Sequence, residues 1–196
     1  MNNFVKIKNN IDSITPLSTD EWDLLENKIE ISTIKKNDYF LKENSVCKSV
    51  AFVNSGSFVY CKMLDNGDEI TVDFAFNGEW ITDNHSRLTN IPSNFSIKAI
   101  ENSELQTINQ ENITILYKEI PKFERFSRLL MEQAYVKLAQ HTIDLQTLSA
   151  TDRYLKLLHK YPNLFQLVPL YHIANYLGIA PKSLSRIRKS FFSFPK

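Results

Sequence analysis

A change in the spacing of apolar residues near position 121 is the feature that most constrains how this sequence can fold. Between Ile31 and about Ile108, apolar residues alternate with polar or small ones, a period typical of half-buried strands. The clearest runs are Ile70, Val72, Phe74 and Phe76, and then Phe95, Ile97 and Ala99. Turn sequences interrupt this part at Asn54-Ser55-Gly56, Asp65-Asn66-Gly67, Asn77-Gly78 and Ile91-Pro92-Ser93. It therefore predicts a small antiparallel sandwich or roll, which can enclose a small-molecule pocket.

After Pro121 the apolar residues recur at intervals of three and four, which predicts one helix of roughly 25 residues. The recurring positions are Phe123, Phe126, Leu130, Ala134, Leu138, His141, Leu145 and Leu148. Further apolar residues widen this surface beyond the stripe needed to cover one domain, namely Leu129, Met131, Tyr135, Val136 and Ile143. A second packing partner is implied, most simply the same helix of another subunit. We expect a homodimer with Leu130, Ala134, Leu138, His141 and Leu145 at its interface.

Two capping boxes mark further helix starts. Ser18 precedes Glu21 by three residues and predicts a helix from about residue 19 to 29. Ser149 precedes Asp152 in the same way and predicts a helix that ends before Pro162.

Composition limits the class of protein. The 196 residues allow one ordinary domain or two small ones, and 43% hydrophobic with 23% charged residues is typical of a globular chain. Only 4 glycines are present, which argues against a glycine-rich nucleotide-binding loop. No apolar stretch approaches the roughly 18 residues needed to cross a bilayer, and the first ten residues lack the apolar core of a signal peptide. We expect a cytoplasmic protein that does not contact the membrane.

Residues suited to metal binding or catalysis are few. Cys47 and Cys61 cannot form a disulfide scaffold or a four-thiolate metal site, and we interpret them as buried small hydrophobes rather than redox sensors. Of the four histidines, His85 lies in the strand-rich part and the others on separate predicted helices. We therefore predict no metal, no cofactor and, without a nucleophile–base pair or paired acids, no enzymatic activity.

Charge is distributed unevenly along the chain. Residues 1–150 contain 15 basic and 21 acidic side chains, a net charge of −6, whereas residues 151–196 contain 8 and 1, a net charge of +7. An acidic body followed by a basic C-terminal part is typical of a domain with an attached nucleic-acid-binding module.

The basic part contains the most specific motif, VPLYHIANYLGIAPKSLSRIRKS, from Val168 to Ser190. Gly178 permits the left-handed turn that ends a first helix, and Pro181 can begin a second. Ala174 is small enough for two steeply crossing helices to approach there. The pattern predicts a helix-turn-helix with a core of Ile173, Ala174, Leu177, Gly178, Leu184 and Ile187. A plain helical hairpin explains the apolar spacing but not the small residue, the glycine and the basic outer face together.

The second helix of this motif carries side chains suited to DNA. Arg186 can donate two hydrogen bonds to guanine in the major groove, whereas Arg188 and Lys189 are better suited to phosphate. We predict contacts to double-stranded DNA from Lys182, Ser183, Ser185, Arg186, Arg188 and Lys189. For any one of them, a solvated surface charge or hydroxyl is the alternative.

The order of these parts resembles the cyclic AMP receptor and Fnr (Crp/Fnr) family of transcription regulators over nearly the whole chain. The segments LSTDEWDLLE, AFVNSGSFVYCKMLDNGDEI, LSATDRYLKLLHKYPNL and VPLYHIANYLGIAPKSLSRIRK are similar to short Crp-type regulators of Bacteroidota-like bacteria. The resemblance implies an α+β fold with a jelly-roll sensor domain at residues 1–120, a dimerisation helix at 121–148 and a winged helix-turn-helix at 149–196. It also implies that a homodimer reads palindromic DNA and that RNA polymerase is a partner.

The phosphate-binding cassette of that family is degenerate in this sequence. The family has a Gly-Glu pair, which Thr82 and Asp83 replace, and an Arg-Ser pair about ten residues on, which Ser93 and Asn94 replace. Arg87 is near in sequence and is the one candidate to substitute for the missing arginine. We therefore predict a degenerate pocket at Thr82, Asp83, Arg87, Ser93 and Asn94, with an unknown effector that is not a cyclic nucleotide.

A second function remains compatible with the sequence: a small-molecule-binding β-roll whose C-terminal module docks protein rather than DNA. Salt-dependent binding to duplex DNA distinguishes the two, because only phosphate neutralisation releases counterions.

Overall fold

A computed structural model describes residues 3–192, which form a β-roll followed by a helical module. The strands are β1 (Glu30–Ile34), β2 (Tyr39–Leu41), β3 (Ser49–Ser55), β4 (Phe58–Met63), β5 (Glu69–Ala75), β6 (Trp80–Ile81), β7 (Ser96–Ala99) and β8 (Ser103–Asn109). The helices are α1 (Val5–Ile14), α2 (Thr19–Glu26), α3 (Asn84–Thr89), α4 (Gln110–Glu119), α5 (Pro121–Thr147), α6 (Ala150–Lys160), α7 (Leu164–Leu167), α8 (Leu170–Tyr176) and α9 (Pro181–Phe192).

The strands pair into two antiparallel sheets, ordered β1-β8-β3-β6 and β2-β7-β4-β5. Alternate residues of both sheets point inward, and Phe58, Ile97 and Leu105 are fully buried between them. The predicted antiparallel roll is confirmed. Cys47 and Cys61 are both buried and free, as expected of small hydrophobes.

A β-bulge in β5 changes the predicted alternation of that strand. Tyr60 pairs with Asp73 whereas Cys61 pairs with Thr71, so Val72 is the extra residue. The bulge leaves Val72 43% exposed and buries Thr71, the reverse of the simple period-two prediction. Its consequence is that Thr71 and Phe74 are both available to the helical module that covers β5.

Two constraints favour glycine at position 56: its backbone conformation and the close approach of a neighbouring side chain. Its φ of +111° lies where residues with a side chain rarely go, and a Cβ there would lie 2.0 Å from the Oγ of Ser103. The predicted turn between β3 and β4 therefore depends on a position that only glycine fits.

The helices around the roll are partly those that the sequence predicts. Ser18 forms both hydrogen bonds of its capping box and begins α2, and the Ser149 hydroxyl accepts the backbone N–H of Asp152 at the start of α6. Helices α1 and α4 are additional. Both pack with α2 and α5 on one side of the roll, in a core that includes Ile7, Trp22 and Phe126.

Helix α5 has 27 residues, close to the predicted length, and its first turns are anchored by the buried side chains of Phe123 and Phe126. Beyond Leu130 it still contacts the roll, where Lys137 pairs with Asp73 of β5. The described part after α5, residues 148–192, is entirely helical where it is regular. The resemblance implies a winged helix-turn-helix, but residues 121–192 contain no strand that could form the wing. No helix among residues 3–192 is long and apolar enough to span a membrane.

Candidate nucleic-acid interface and ligand pocket

The predicted helix-turn-helix is formed by α8 and α9. At its turn the N–H of Ile179 donates to the carbonyl of Ala174 (3.0 Å), and Gly178 adopts a φ of +65°. This pair of features is a Schellman-type helix end, which favours glycine. Ile173, Ala174, Leu177 and Leu184 are at most 2% exposed and Ile187 is half-buried, so these side chains pack together beneath the two helices.

The outer face of α9 is the candidate nucleic-acid interface. Lys182, Ser185, Arg186 and Lys189 are exposed on it. Ser183 is half-buried, and the guanidinium of Arg188 lies 4.5 Å from the ring centroid of Phe165. Arg188 therefore has a packing contact within the module, in addition to the phosphate contact predicted for it.

Helix α8 docks on strand β5 through polar contacts. The Nδ1 of His172 lies 2.6 Å from the Oγ1 of Thr71, and the side-chain amide of Asn175 donates to the Glu69 carbonyl (2.8 Å). Beside them Tyr176 packs on Phe74, with ring centroids 5.0 Å apart. Because His172 is only 1% exposed, the helix-turn-helix and the β-roll share a continuous buried interface.

This interface makes the protein sensitive to acid. Burial lowers the pKa of His172 from its ordinary 6.5 to about 4, although Glu69 opposes the shift. The folded protein then binds fewer protons than the unfolded chain, so the free energy of unfolding falls as pH drops below 6.5. When the pH is lowered from about 7 to about 5, we expect the free energy of unfolding to fall by about 2 kcal/mol more in wild type than in His172→Gln. Urea unfolding at the two pH values measures this difference. Identical pH dependence in the two proteins would show that His172 does not titrate in this way.

A cavity of about 530 Å³ lies between the β-roll and the inner side of α5. Tyr60, Val72 and Trp80 line it from the strands, and Phe126 and Leu130 line it from α5. Its charged lining residues are Asp73, Glu79, Arg87 and Lys137, two carboxylates and two cations. Lys137 is paired with Asp73 at 2.8 Å. The cavity can therefore hold a small molecule, but its charges do not favour an anion.

Of the five residues predicted to form a degenerate pocket, Thr82 and Arg87 line this cavity and the other three do not. Asp83 caps α3 by accepting the N–H of Ser86 (3.1 Å). The hydroxyl of Ser93 donates to the carbonyl of Phe95, and Asn94 is exposed. Ser93 and Asn94 thus do not take over the role of the Arg-Ser pair.

Arg87 is held by neighbouring amides. Its side chain is buried, and its two terminal nitrogens donate to the amide oxygens of Gln110 and Asn84. The Nε has no hydrogen-bond partner among the described residues. Each terminal nitrogen donates one of its two N–H groups to an amide oxygen, so Gln110 and Asn84 fix the orientation of the guanidinium.

The residues of the predicted dimer interface differ in exposure. Leu130 packs against the core under the roll, and the imidazole of His141 stacks on Tyr176 of the same chain, with centroids 4.4 Å apart. Ala134, Leu138 and Leu145 are exposed, and Ala134 and Leu138 also line the cavity described above. Exposed apolar neighbours on α5 are Met131, Tyr135, Val136 and Ile143. A dimer seam is thus available at the three exposed positions, whereas Leu130 and His141 contact their own chain.

Comparison with known proteins fits this geometry. Residues 31–119 match the family described as the cyclic nucleotide-binding domain. FixK2 from Bradyrhizobium japonicum aligns with a TM-score of 0.73 and 16% identity, covering 84% of this chain and 85% of its own. A Crp/Fnr-family regulator from Eubacterium rectale aligns with a TM-score of 0.68 and 19% identity, covering 98% and 88%. This chain has the fold of a Crp/Fnr regulator.

A third Crp/Fnr structure is also similar. The c-di-GMP-responsive global regulator CLP of Xanthomonas campestris aligns with a TM-score of 0.71 and 14% identity, covering 90% of this chain and 92% of its own. No curated protein gives a significant match to the sequence. The similarity therefore lies in the fold, and the ligand must be inferred from the residues of this chain.

Within the Crp/Fnr fold, the altered cassette leads to a prediction about cyclic nucleotides. We expect no saturable binding of cyclic AMP or cyclic GMP in calorimetry. The Arg-Ser pair that would hold the phosphate is absent from the sequence, and Asp73 and Glu79, which line the same cavity, would repel it. Micromolar binding of either nucleotide that is abolished in Arg87→Gln would show that Arg87 rebuilds the cassette.

Several residues important to the Crp/Fnr fold of this chain have no clear sequence signal. Arg153 donates to the carbonyls of Leu177 and Leu148, and so ties the end of α8 to the end of α5. Thr71 and His172 are separated by 101 residues, and no local pattern connects them. The capping box predicts the start of α6, but it does not predict which carbonyls the Arg153 side chain contacts.

Proposed function

We propose that the protein is a homodimeric, sequence-specific DNA-binding transcription regulator that is not controlled by a cyclic nucleotide. The observation that carries this proposal is the exposed basic face of α9 in a helix-turn-helix whose core is fully packed. A helix presented in this way fits the major groove, where Arg186 can read a guanine and Lys189 can meet phosphate.

The parts of the chain divide this function between them. Residues 1–120 serve as a sensor domain, 121–148 as the dimerisation helix and 149–196 as the DNA-binding module; the last four residues of that module lie outside the described part of the chain. A dimer seam at Ala134, Leu138 and Leu145 is supported by the exposure of these residues on α5. As a cytoplasmic regulator, the dimer would act on RNA polymerase after binding a palindromic site.

Selection from a random library of duplex DNA tests this proposal. We expect the purified protein to enrich a sequence with two-fold symmetry, with half-sites about 10 base pairs apart, because two identical helices must reach successive major grooves on one face of the duplex. Enrichment of an asymmetric single site would contradict the dimer, and no enrichment at all would contradict specific DNA binding.

A further inference from the structure

A second cavity, of about 320 Å³, lies where α5 and α6 diverge from their connection at Leu148. Its walls come from α5, from α6 and from the end of α8, and we call it the hinge cleft. Its charged lining residues are Lys137, Asp144, Arg153, Lys156 and Lys160. The lining therefore has four cations and one carboxylate, a net charge of +3. This differs from the neighbouring larger cavity, where charges balance.

The one histidine in the lining does not change this charge at neutral pH. Burial is the main cause that lowers the pKa of His141, so its imidazole is neutral there. The imidazole and the ring of Tyr176, stacked on each other, form an aromatic part of the wall. The hinge cleft thus combines an aromatic surface with a group of cations.

The cations of the cleft differ in how they are neutralised. Lys156 is paired with Asp144, and Lys137 with Asp73 outside the cleft. Arg153 donates to backbone carbonyls, which leave its charge uncompensated. The ammonium of Lys160 lies 4.9 Å from the ring centroid of Tyr161 and has no carboxylate within 4.0 Å among residues 3–192.

Repulsion between these side chains is evident at Lys160. Its pKa is lowered, first by burial and next by the positive charge of Lys137; the carboxylates of Glu79 and Asp73 oppose this shift, and Lys156 adds to it. An anion that enters the cleft would offset this repulsion and provide the negative counter-charge that Lys160 and Arg153 do not have. A single exposed ion pair contributes little binding free energy in water, but several cations that contact one polyvalent anion contribute more.

We propose that the hinge cleft binds a phosphate-bearing small molecule, with Lys160 as its principal cation and Lys137 and Lys156 as neighbours. The cleft is separate from the face of α9 and from the cassette stretch, so it is not used by the proposed DNA contacts. Because its walls belong to α5 on one side and to α6 and α8 on the other, a bound phosphate ties the long helix to the DNA-binding module. Its presence would therefore alter how that module is held.

Inorganic pyrophosphate is a suitable probe, compared with sodium chloride at equal ionic strength. We expect calorimetry to show saturable binding to wild type, at least about tenfold weaker binding to Lys160→Gln, and recovery in Lys160→Arg, since the cation is what matters. Lys48→Gln, an exposed lysine on the β-roll, is the matched control and should bind as wild type does. Thermal unfolding without anion checks that each variant folds.

Three calorimetric results would overturn the proposal: no saturable binding to wild type, equal binding to all four proteins, or loss of binding in Lys48→Gln as well. A DNA measurement separates the two sources of phosphate. If Lys160 serves a small molecule, Lys160→Gln should keep wild-type DNA affinity in the absence of pyrophosphate. A uniform loss of affinity for all duplexes, with pyrophosphate binding unchanged, would instead assign Lys160 to the DNA backbone and overturn the proposal while leaving DNA binding itself intact.

Discussion

Leu138→Asp is expected to convert the protein to a monomer and to weaken binding to a palindromic duplex by at least about 100-fold. The Leu138 side chain is 64% exposed in the isolated chain, so the substitution does not disturb the core. In a dimer it would place an unpaired carboxylate in an apolar seam, and loss of the second half-site removes the gain of bivalent binding. Analytical ultracentrifugation and fluorescence anisotropy measure the two effects.

Ile115→Asp is the matched control for this experiment. Ile115 is 39% exposed on α4, outside the apolar stripe of α5. The same charge on that helix should leave the dimer intact. A wild-type protein that is monomeric at working concentrations and still binds a palindrome at full affinity would contradict the seam.

Arg186→Ala is expected to cost about 1 to 3 kcal/mol on the preferred site and to relax the preference at one base pair, because a bidentate contact to guanine is lost. Lys189→Ala should weaken binding to specific and random duplexes to a similar extent, since phosphate contacts carry no sequence information. Competition binding with a set of single-base variants of the site measures both.

Arg125→Ala provides the control for the loss of a surface arginine. Arg125 is exposed near the start of α5, far along the chain from α9, and its removal should leave both affinities unchanged. If Arg186→Ala and Lys189→Ala reduce specific and random binding equally, then Arg186 does not read a base.

Local signals in the sequence predicted much of this fold. Ser18 and Ser149 begin helices because a cap is satisfied within three residues, and Gly178 ends α8 because its backbone conformation favours glycine. The alternation of apolar residues predicted an antiparallel roll correctly. Each of these features depends on neighbours within a few positions, which is why one sequence is sufficient to detect it.

Features that depend on distant residues were not predictable in this way. The bulge exposes Val72 and buries Thr71, and Thr71 is covered by His172, 101 residues away in the sequence. Helical spacing placed His141 on a dimer seam, but the spacing could not reveal that Tyr176 packs against it. The apolar stripe on α5 is wide enough to pack against two partners. The sequence alone does not show which of its residues contact the docked helical module.

The candidate pocket illustrates the same division. Aligned without gaps, the cassette stretch identified the loss of the Gly-Glu and Arg-Ser pairs. The sequence could not show that Asp83 is a helix cap or that Arg87 is held by Gln110 and Asn84, because these contacts follow from the path of α3.

The salt dependence of binding to the selected palindrome and to a random duplex tests DNA recognition most directly. We expect the palindrome to bind at least about 1,000-fold more tightly, with the logarithm of affinity falling linearly with the logarithm of salt concentration at a slope of about −0.9 per neutralised phosphate. Equal affinity for the two duplexes, or binding that does not change with salt, would contradict the proposed function and favour a C-terminal module that docks protein.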